Sequence, residues 1–221
     1  MVGTPNTSEV WRGDIDGDTF YVKEQTWNEM AGEAIACLLG RAIGLNVPLG
    51  MTWSNSGSDY WLSPEVPFSF HWDRSFLQNA RIQDQFGGMV VLDAVIGNWD
   101  RHSRNVLLRQ KDDLTLEPWF IDHSDSVAGN PGDIKALGLA VHGEMRVPED
   151  FPHEGLDEAV AKYATKLTDN SWLPNRAISR ALEAVPSLRD EERATILQCL
   201  SARCLQAARI SAEYLSKIRR S

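Results

Sequence analysis

Residues 87–105 read GGMVVLDAVIGNWDRHSRN, an apolar run followed at once by the densest group of polar side chains in the chain. The apolar part, Gly87–Asn98, predicts a buried helix. The polar part, Asn98–Asn105, precedes a second apolar run, Val106–Leu108, which predicts a short strand. Loops held between a rigid helix and a rigid strand commonly carry functional side chains. We therefore expect a functional site in this loop, with Asp100 and Asn105 as its candidate residues.

Another aspartate follows an apolar run further along the chain. Asp122 comes directly after Trp119–Ile121, and the polar turn Lys111–Asp113 separates this run from the previous one. Two short strands joined by such a turn would form a hairpin, and would bring Asp100, Asn105 and Asp122 to one end of it. Mg²⁺ prefers hard oxygen ligands of this kind. A further carboxylate can accept the proton of an attacking hydroxyl, so the pattern favours phosphoryl transfer.

The N-terminal residues predict a hairpin followed by a helix. Apolar and polar residues alternate from Glu9 to Lys23, and Asp-Gly at residues 16–17 suits a tight turn that needs positive φ at both positions. Lys23 should then end the second strand. From Trp27 to Leu45 the apolar residues recur every three or four positions, which predicts an amphipathic helix closed by Gly44.

The remaining pattern completes an α+β fold. A second hairpin is predicted from Leu49–Trp53 and Tyr60–Val66, with a polar loop between them. Residues 129–155 are rich in Gly and Pro and are predicted to be irregular. Helices are predicted over Leu156–Leu167, Pro174–Ala184 and Arg189–Arg219. The chain thus divides into a β-rich piece with one helix, residues 1–66, and a helical piece with one small hairpin, residues 67–221.

Composition argues against some binding partners and indicates a cellular compartment. The net charge is −9 and the pI is about 5.0, so the surface should repel nucleic-acid backbones and anionic lipid. Three cysteines form no paired framework, which favours a reducing compartment. The N-terminus lacks the pattern of a signal peptide, and no apolar run has the length of a membrane span. We expect a cytoplasmic protein without nucleic-acid binding or membrane insertion.

The motif D-R-H-x-x-N at residues 100–105, followed by I-D-H-S at residues 121–124, resembles a known group of enzymes. It is similar to the atypical kinases related to HipA toxins and to the phosphatidylinositol 3-/4-kinases. This resemblance implies a two-lobed protein-kinase-like fold that uses ATP and Mg²⁺. It also implies that Asp100 is the catalytic aspartate, that Asn105 and Asp122 hold Mg²⁺, and that His102 braces the loop.

The N-terminal piece extends the resemblance. Kinases place a strand lysine on the nucleotide phosphates and hold it with a glutamate from the next helix. By resemblance these are Lys23 and Glu33, with Glu29 as the alternative glutamate. Residues 61–66, which include Glu65, take the place of the hinge that contacts adenine. No glycine-rich G-x-G-x-x-G loop is present, so residues 3–8 are the candidate phosphate cradle. Autophosphorylation is expected within Thr4, Thr7 and Ser8.

Several alternatives stay open at the level of sequence. The expected reaction is transfer of the γ-phosphate of ATP to a protein Ser or Thr, with a lipid or small-molecule hydroxyl as the second choice. A pseudokinase that binds nucleotide without turnover is a further alternative. His102 and His123 beside the two aspartates would also suit a metal-dependent phosphohydrolase. Arg101 and Arg104 are expected either to contact phosphates or to pair with acidic surface groups.

Overall fold

The structure is a computed structural model that describes residues 10–76, 80–144, 151–152, 154–168 and 172–219. Its N-terminal part is an antiparallel sheet of four strands in the order β1-β2-β4-β3. The strands are β1 (Val10–Ile15), β2 (Asp18–Glu24), β3 (Met51–Asn55) and β4 (Ser58–Pro64). Asp16 and Gly17 have φ values of 51° and 92°. Positive φ at both positions is what a two-residue hairpin turn requires, so this hairpin was correctly predicted.

Helix α1 (Trp27–Ile43) connects the two hairpins of this sheet. The Thr26 side chain accepts a hydrogen bond from the backbone N–H of Glu29, whose carboxylate in turn accepts from the Thr26 N–H at 2.7 Å. This reciprocal cap satisfies two N–H groups that a helix start leaves unpaired. Gly44 ends the helix in the left-handed conformation, as predicted. Glu29 is thereby committed to the cap at the first turn.

A second, smaller sheet corrects the predicted two-stranded hairpin. It has three antiparallel strands in the order β5-β6-β7, namely β5 (Ser69–His71), β6 (Val106–Gln110) and β7 (Leu116–Phe120). Strand β5 has only three residues, which is too short for an alternating pattern to be recognised. Helix α2 (Ala80–Ile96) precedes the loop at residues 97–105 and begins well before the predicted Gly87. The predicted boundary at residues 66–67 lies in the connection between β4 and β5.

The helices after β7 depart from the sequence prediction in two places. They are α3 (Pro131–Leu137), α4 (Asp157–Thr168), α5 (Trp172–Glu183), α6 (Asp190–Leu205) and α7 (Ala207–Ile218). Helix α3 lies in the segment predicted to be irregular, where Asn130 caps it through the N–H groups of Gly132 and Asp133. The single long helix predicted to Arg219 breaks at Gln206. The break lets α6 pack on α3 and α5, while α7 packs on α2 and α4.

One apolar core joins the elements of the larger part, and α1 belongs to it. Helix α1 packs against α5 and α2, and its buried side chains include Met30, Ile35 and Leu39. Helix α2 contributes Phe86 and Val91, which are completely buried. This packing fixes α1 beside the loop that follows α2. Among the described helices, none combines the length and apolarity needed to cross a bilayer.

Candidate active site

A cleft of about 1000 Å³ opens between the four-stranded sheet and the three-stranded sheet. Strands β2 and β4 and helix α1 contribute to one wall, and β5, β6 and the loop after α2 contribute to the other. The structure brings seven of the site residues predicted from the sequence to this cleft. They are Lys23, Glu33, Glu65, Asp100, His102, Asn105 and Asp122.

Lys23 and Asp122 meet across the cleft although 99 positions separate them in the chain. Lys23 Nζ donates to Asp122 Oδ2 at 2.6 Å, and the Ser124 hydroxyl donates to Oδ1 at 2.8 Å. Asp122 has a φ of 55°, a left-handed conformation that is uncommon outside glycine and clusters at functional sites. Burial acts to raise the pKa of Asp122, but the Lys23 ammonium outweighs it, and the net pKa lies below its usual value.

Glu33 has a different contact from the one that the resemblance implied. Its Oε2 accepts a hydrogen bond from the backbone N–H of His123 at 3.1 Å, and His123 Nδ1 lies 3.7 Å away. The ion pair of Lys23 is made with Asp122 instead. Burial acts to lower the pKa of Lys23, yet Asp122 and then Glu33 raise it on balance. Glu33 therefore anchors α1 to the segment after Asp122 and acts on Lys23 at longer range.

The loop at residues 98–105 is held by its own polar groups. Asn105 Nδ2 donates to the Asp100 carbonyl oxygen at 3.1 Å, and the Asp100 N–H donates to Asn98 Oδ1 at 3.3 Å. His102 Nε2 lies 3.5 Å from Asp100 Oδ2, and about half of each side chain is exposed. Asp100 thus presents its carboxylate to the open part of the cleft, with His102 beside it.

Arg101 supports this loop from inside the protein, and neither role expected for it applies. Its Nε and Nη2 donate to the two carboxylate oxygens of Asp93, each at 2.9 Å, and both side chains are completely buried. Its Nη1 donates to the carbonyls of Asn105 and Ile121. One guanidinium thereby ties the end of the loop to the residue before Asp122. An aspartate within the apolar run of α2 was the one sequence signal for this buried pair.

The segment after Asp122 lies directly against α1. A Cβ added at Gly129 would lie 1.8 Å from the Asn28 carbonyl oxygen and 2.7 Å from the Gly32 nitrogen. A Cβ at Gly32 would lie 2.6 Å from Ser126 Oγ. Two backbones can approach this closely only where side chains are absent. Glycine at both positions therefore lets α1 and the 3-10 turn Val127–Gly129 pack in direct backbone contact.

Asp125 is a cleft residue that the sequence reasoning missed. It lies three positions after Asp122, and this repeated acidic residue was the available signal. Partial burial, followed by the charges of Asp100 and Asp122, raises the pKa of Asp125 to about 6. The negative charges of Asp100 and Asp122 thus disfavour ionisation of Asp125 in the same cleft. Such a concentration of negative charge favours a bound cation.

The side-chain oxygens of Asp122 and Asn105 are of the hard kind that Mg²⁺ prefers. The Nδ2 of Asn105 donates to the Asp100 carbonyl, which leaves its amide oxygen as a candidate ligand in the cleft that Asp122 also lines. Within the described ranges, no group of three or more His, Cys, Asp or Glu side chains is arranged to hold a metal by itself. Mg²⁺ bound with a nucleotide takes most of its ligands from phosphates and water, so one or two protein oxygens suffice.

Glu65 also lines the cleft and belongs to the segment predicted as the hinge. Its carboxylate accepts from Arg12 Nη2 at 3.2 Å and from the Tyr21 hydroxyl at 3.2 Å. Its backbone N–H donates to the Thr19 carbonyl, so this group is already paired. Glu65 thus links β4 to the first hairpin. The predicted phosphate cradle, residues 3–8, and the phosphorylation sites within it lie outside the described residues.

Comparisons with known proteins place this geometry in a structural class. No protein-family model matches the chain, and no curated protein sequence matches it. The crystal structure of the Helicobacter pylori proinflammatory kinase CtkA is similar, with a TM-score of 0.66, 13% identity, and coverage of 94% of this chain and 97% of that one. A chain of the Shewanella oneidensis HipA–HipB complex with its operator DNA matches at a TM-score of 0.50 and 12% identity. That match covers 91% of this chain and 60% of the other. The chain therefore has a two-lobed, protein-kinase-like α+β fold similar to those of CtkA and HipA.

Proposed function

We propose that this protein is a kinase that transfers the γ-phosphate of Mg·ATP to a hydroxyl group, with a protein Ser or Thr as the acceptor. The observation that carries the proposal is the meeting of Lys23 and Asp122 at 2.6 Å inside the cleft that Asp100 and Asn105 also line. A phosphate-binding cation, a metal-binding pair and a carboxylate for the acceptor are the parts that phosphoryl transfer needs. The kinase-like fold supports the same reaction.

Each residue has a separate task in this proposal. Asp122 and Asn105 would supply oxygens that hold Mg²⁺, and the ion would neutralise charge on the transferred phosphoryl group. Lys23, kept protonated by its acidic neighbours, offers a fixed positive charge to the nucleotide phosphates. Asp100 is partly exposed and can accept a hydrogen bond from the acceptor hydroxyl and orient it for attack.

Hydrogen bonds with Arg101 and Glu33 hold the backbone around these residues in place. Phosphoryl transfer depends on such support because its catalysis comes largely from positioning the reacting groups. The Arg101 guanidinium donates hydrogen bonds to the carbonyl oxygens of Asn105 and Ile121, and the Glu33 carboxylate accepts one from the backbone N–H of His123. The residues on either side of Asp122 are therefore fixed from two directions. No proposed role requires Asp122 to move when the acceptor arrives.

The alternatives differ in acceptor or in turnover. A lipid or small-molecule acceptor is the second choice, and the relation to phosphatidylinositol kinases remains a prediction. A pseudokinase would bind the nucleotide without transfer. The phosphohydrolase alternative has less support, because the His123 ring is completely buried beside Glu33 while His102 is half exposed at Asp100.

The test is transfer of radiolabelled γ-phosphate from Mg·ATP by the purified protein. We expect label on the protein itself or on an added protein acceptor, and loss of that label in both Asp100→Ala and Asp122→Ala. Asp112→Ala is the matched control, because Asp112 is an exposed residue of the β6–β7 turn outside the cleft.

The outcomes separate the alternatives. ADP release that depends on Asp100 and Asp122, without label on protein, would indicate a lipid or small-molecule acceptor. Nucleotide binding with neither label nor ADP would indicate a pseudokinase. Full transfer by Asp122→Ala would exclude the mechanism proposed for this site.

A further inference from the structure

We infer that Arg104 selects the acceptor, and that the acceptor hydroxyl is carried by an acidic peptide segment. This inference rests on the proposed function, because it assigns the substrate class of the same cleft. It goes further by giving a role to a charged residue that binds neither the metal nor the carboxylates described above.

The first argument is the distribution of charge along the cleft. Of the described residues that line it, Lys23 and Arg104 are the only Lys or Arg side chains. Lys23 is paired with Asp122 in the part-buried interior. Arg104 is exposed, and within the described part of the chain no ion pair or hydrogen bond engages its side chain. The cleft therefore has one positive charge that is free to meet an incoming molecule.

The second argument is the position of Arg104 relative to the proposed chemistry. Ser103, Arg104 and Asn105 form a 3-10 turn, in which neighbouring side chains point about 120° apart. Asn105 is buried and donates to the Asp100 carbonyl, whereas Arg104 faces solvent at the same turn. The turn thus directs the Asn105 side chain into the interior and the Arg104 side chain into the solvent-exposed part of the cleft. Asp100, the residue proposed to orient the acceptor, lines the same cleft and is about half exposed.

The third argument is electrostatic. The protein has a net charge of −9, and Asp100 and Asp125 place part of that negative charge in the cleft. An acidic segment approaching this surface would be repelled unless a cation meets it. Arg104 supplies that cation in the cleft that Asp100 also lines, and a guanidinium suits bidentate contact with a carboxylate. An exposed pair of this kind is worth little for affinity, but it decides between acidic and basic partners.

The experiment compares two fluorescein-labelled serine peptides that differ only in their flanking residues, four Glu in one and four Lys in the other. Binding to the protein is measured by fluorescence polarisation, and phosphorylation is measured separately over a range of Mg·ATP concentrations that extends to saturation. Three proteins are compared: the wild type, Arg104→Glu and Arg180→Glu. Arg180 is an exposed arginine of α5 outside this cleft, so its variant carries the same change in net charge.

We expect the wild type to bind the Glu-flanked peptide more tightly, and Arg104→Glu to reverse the preference, with a change of roughly tenfold in the ratio of the two Kd values. Arg180→Glu should keep the wild-type order. An unchanged ratio in Arg104→Glu, or an equal change in Arg180→Glu, would overturn the inference. So would a rise in KM for ATP without a change in peptide preference, because Arg104 would then belong to the nucleotide site.

Binding does not depend on turnover, so the two proposals fail separately. A charge preference that Arg104→Glu reverses, with no phosphorylation of either peptide or of the protein, would establish Arg104 as a peptide-binding residue and would refute transfer to a protein acceptor. Phosphorylation of both peptides at equal efficiency by the wild type and by Arg104→Glu would support the kinase and refute the role of Arg104.

Discussion

Arg101 and Asp93 form a completely buried, bidentate ion pair, with both N–O distances at 2.9 Å. Asn98 Nδ2 also donates to the same carboxylate at 2.9 Å. Asp93 belongs to α2 and Arg101 to the loop after it, so this pair joins the core helix to the candidate active site. The guanidinium then reaches the backbone on both sides of the proposed metal site.

Removing Asp93 should therefore destabilise the protein strongly. Asp93→Ala would leave the Arg101 charge buried without a partner, and we expect a loss of about 3–5 kcal/mol in the free energy of unfolding. Urea unfolding followed by circular dichroism measures this loss. Asp84→Ala is the control on the same helix: it removes a surface ion pair with Lys162 and an acceptor of the Tyr163 hydroxyl, and should cost only about 1–2 kcal/mol. Equal losses in the two variants would contradict the structural role of the buried pair.

Lys23→Met should weaken nucleotide binding more than folding. The substitution roughly keeps the length of the side chain and removes the positive charge beside Asp122. The negative charges of Asp122 and its acidic neighbours would then repel the nucleotide phosphates. We expect the Kd of a fluorescent ATP analogue to rise at least about tenfold and transfer to fall about a hundredfold. Lys135→Met, on the exposed face of α3, is the control. Wild-type nucleotide affinity in Lys23→Met would show that this lysine has no part in phosphate binding.

Asp125→Asn should stabilise the protein at neutral pH but not at pH 4. The pKa of Asp125 is about 6 in the folded protein, above its usual value near 3.9. Between about pH 4 and pH 6 the carboxyl group of Asp125 is protonated in the folded state and ionised in the unfolded state. The contribution of this group to the free energy of unfolding therefore falls as the pH rises through that window. Asn cannot ionise, so we expect Tm of the variant to exceed wild type by about 1–2 °C at pH 7.5.

The difference should vanish at pH 4, where Asp125 is protonated in the folded protein. Differential scanning calorimetry at both pH values, without nucleotide or Mg²⁺, is the measurement. Asp112→Asn, in the exposed turn between β6 and β7, should show no such dependence on pH. An equal Tm for Asp125→Asn and wild type at pH 7.5 would argue against the crowding of carboxylates at this site.

Gly129→Ala should separate the segment after Asp122 from α1. The added methyl group would lie 1.8 Å from the Asn28 carbonyl oxygen, so one backbone must shift. We expect a loss of about 1–3 kcal/mol in stability, and a lower rate of transfer because α1 carries Glu33. Gly143→Ala, where a Cβ meets nothing within 4 Å, is the control. Unfolding and transfer assays on both variants test the contact, and wild-type values for Gly129→Ala would contradict it.

Local patterns in the sequence were sufficient to predict those turns and helix ends that depend only on the backbone conformation of one or two residues. Positive φ at Asp16 and Gly17 and at Gly44 follows from the residue types that tolerate it, so the first hairpin and the end of α1 were predicted correctly. The loop at residues 98–105 was recognisable because an apolar helix and a strand enclose a polar motif. The spacing to Asp122 then indicated a shared site.

Contacts between distant segments could not be predicted in this way, because several pairings satisfy the same local pattern. The sequence implied that Glu33 holds Lys23, whereas the fold places Asp122 nearer to the lysine and Glu33 against the backbone of His123. Strand β5 exists only because β6 is there to pair with it. The long C-terminal helix breaks at Gln206, and its first half packs mainly on α3 and α5 whereas its second half packs on α2 and α4.

Arg101 and Arg104 show where the division lies. The sequence by itself determined that two arginines flank the histidine of a polar loop, and it treated them alike. Only the tertiary structure placed Asp93 beneath the loop, where burial makes a paired guanidinium obligatory, and left Arg104 in water at the mouth of the cleft. The reason is physical: a charge is stable inside a protein only with its partner, and residue spacing does not reveal which neighbours the fold supplies.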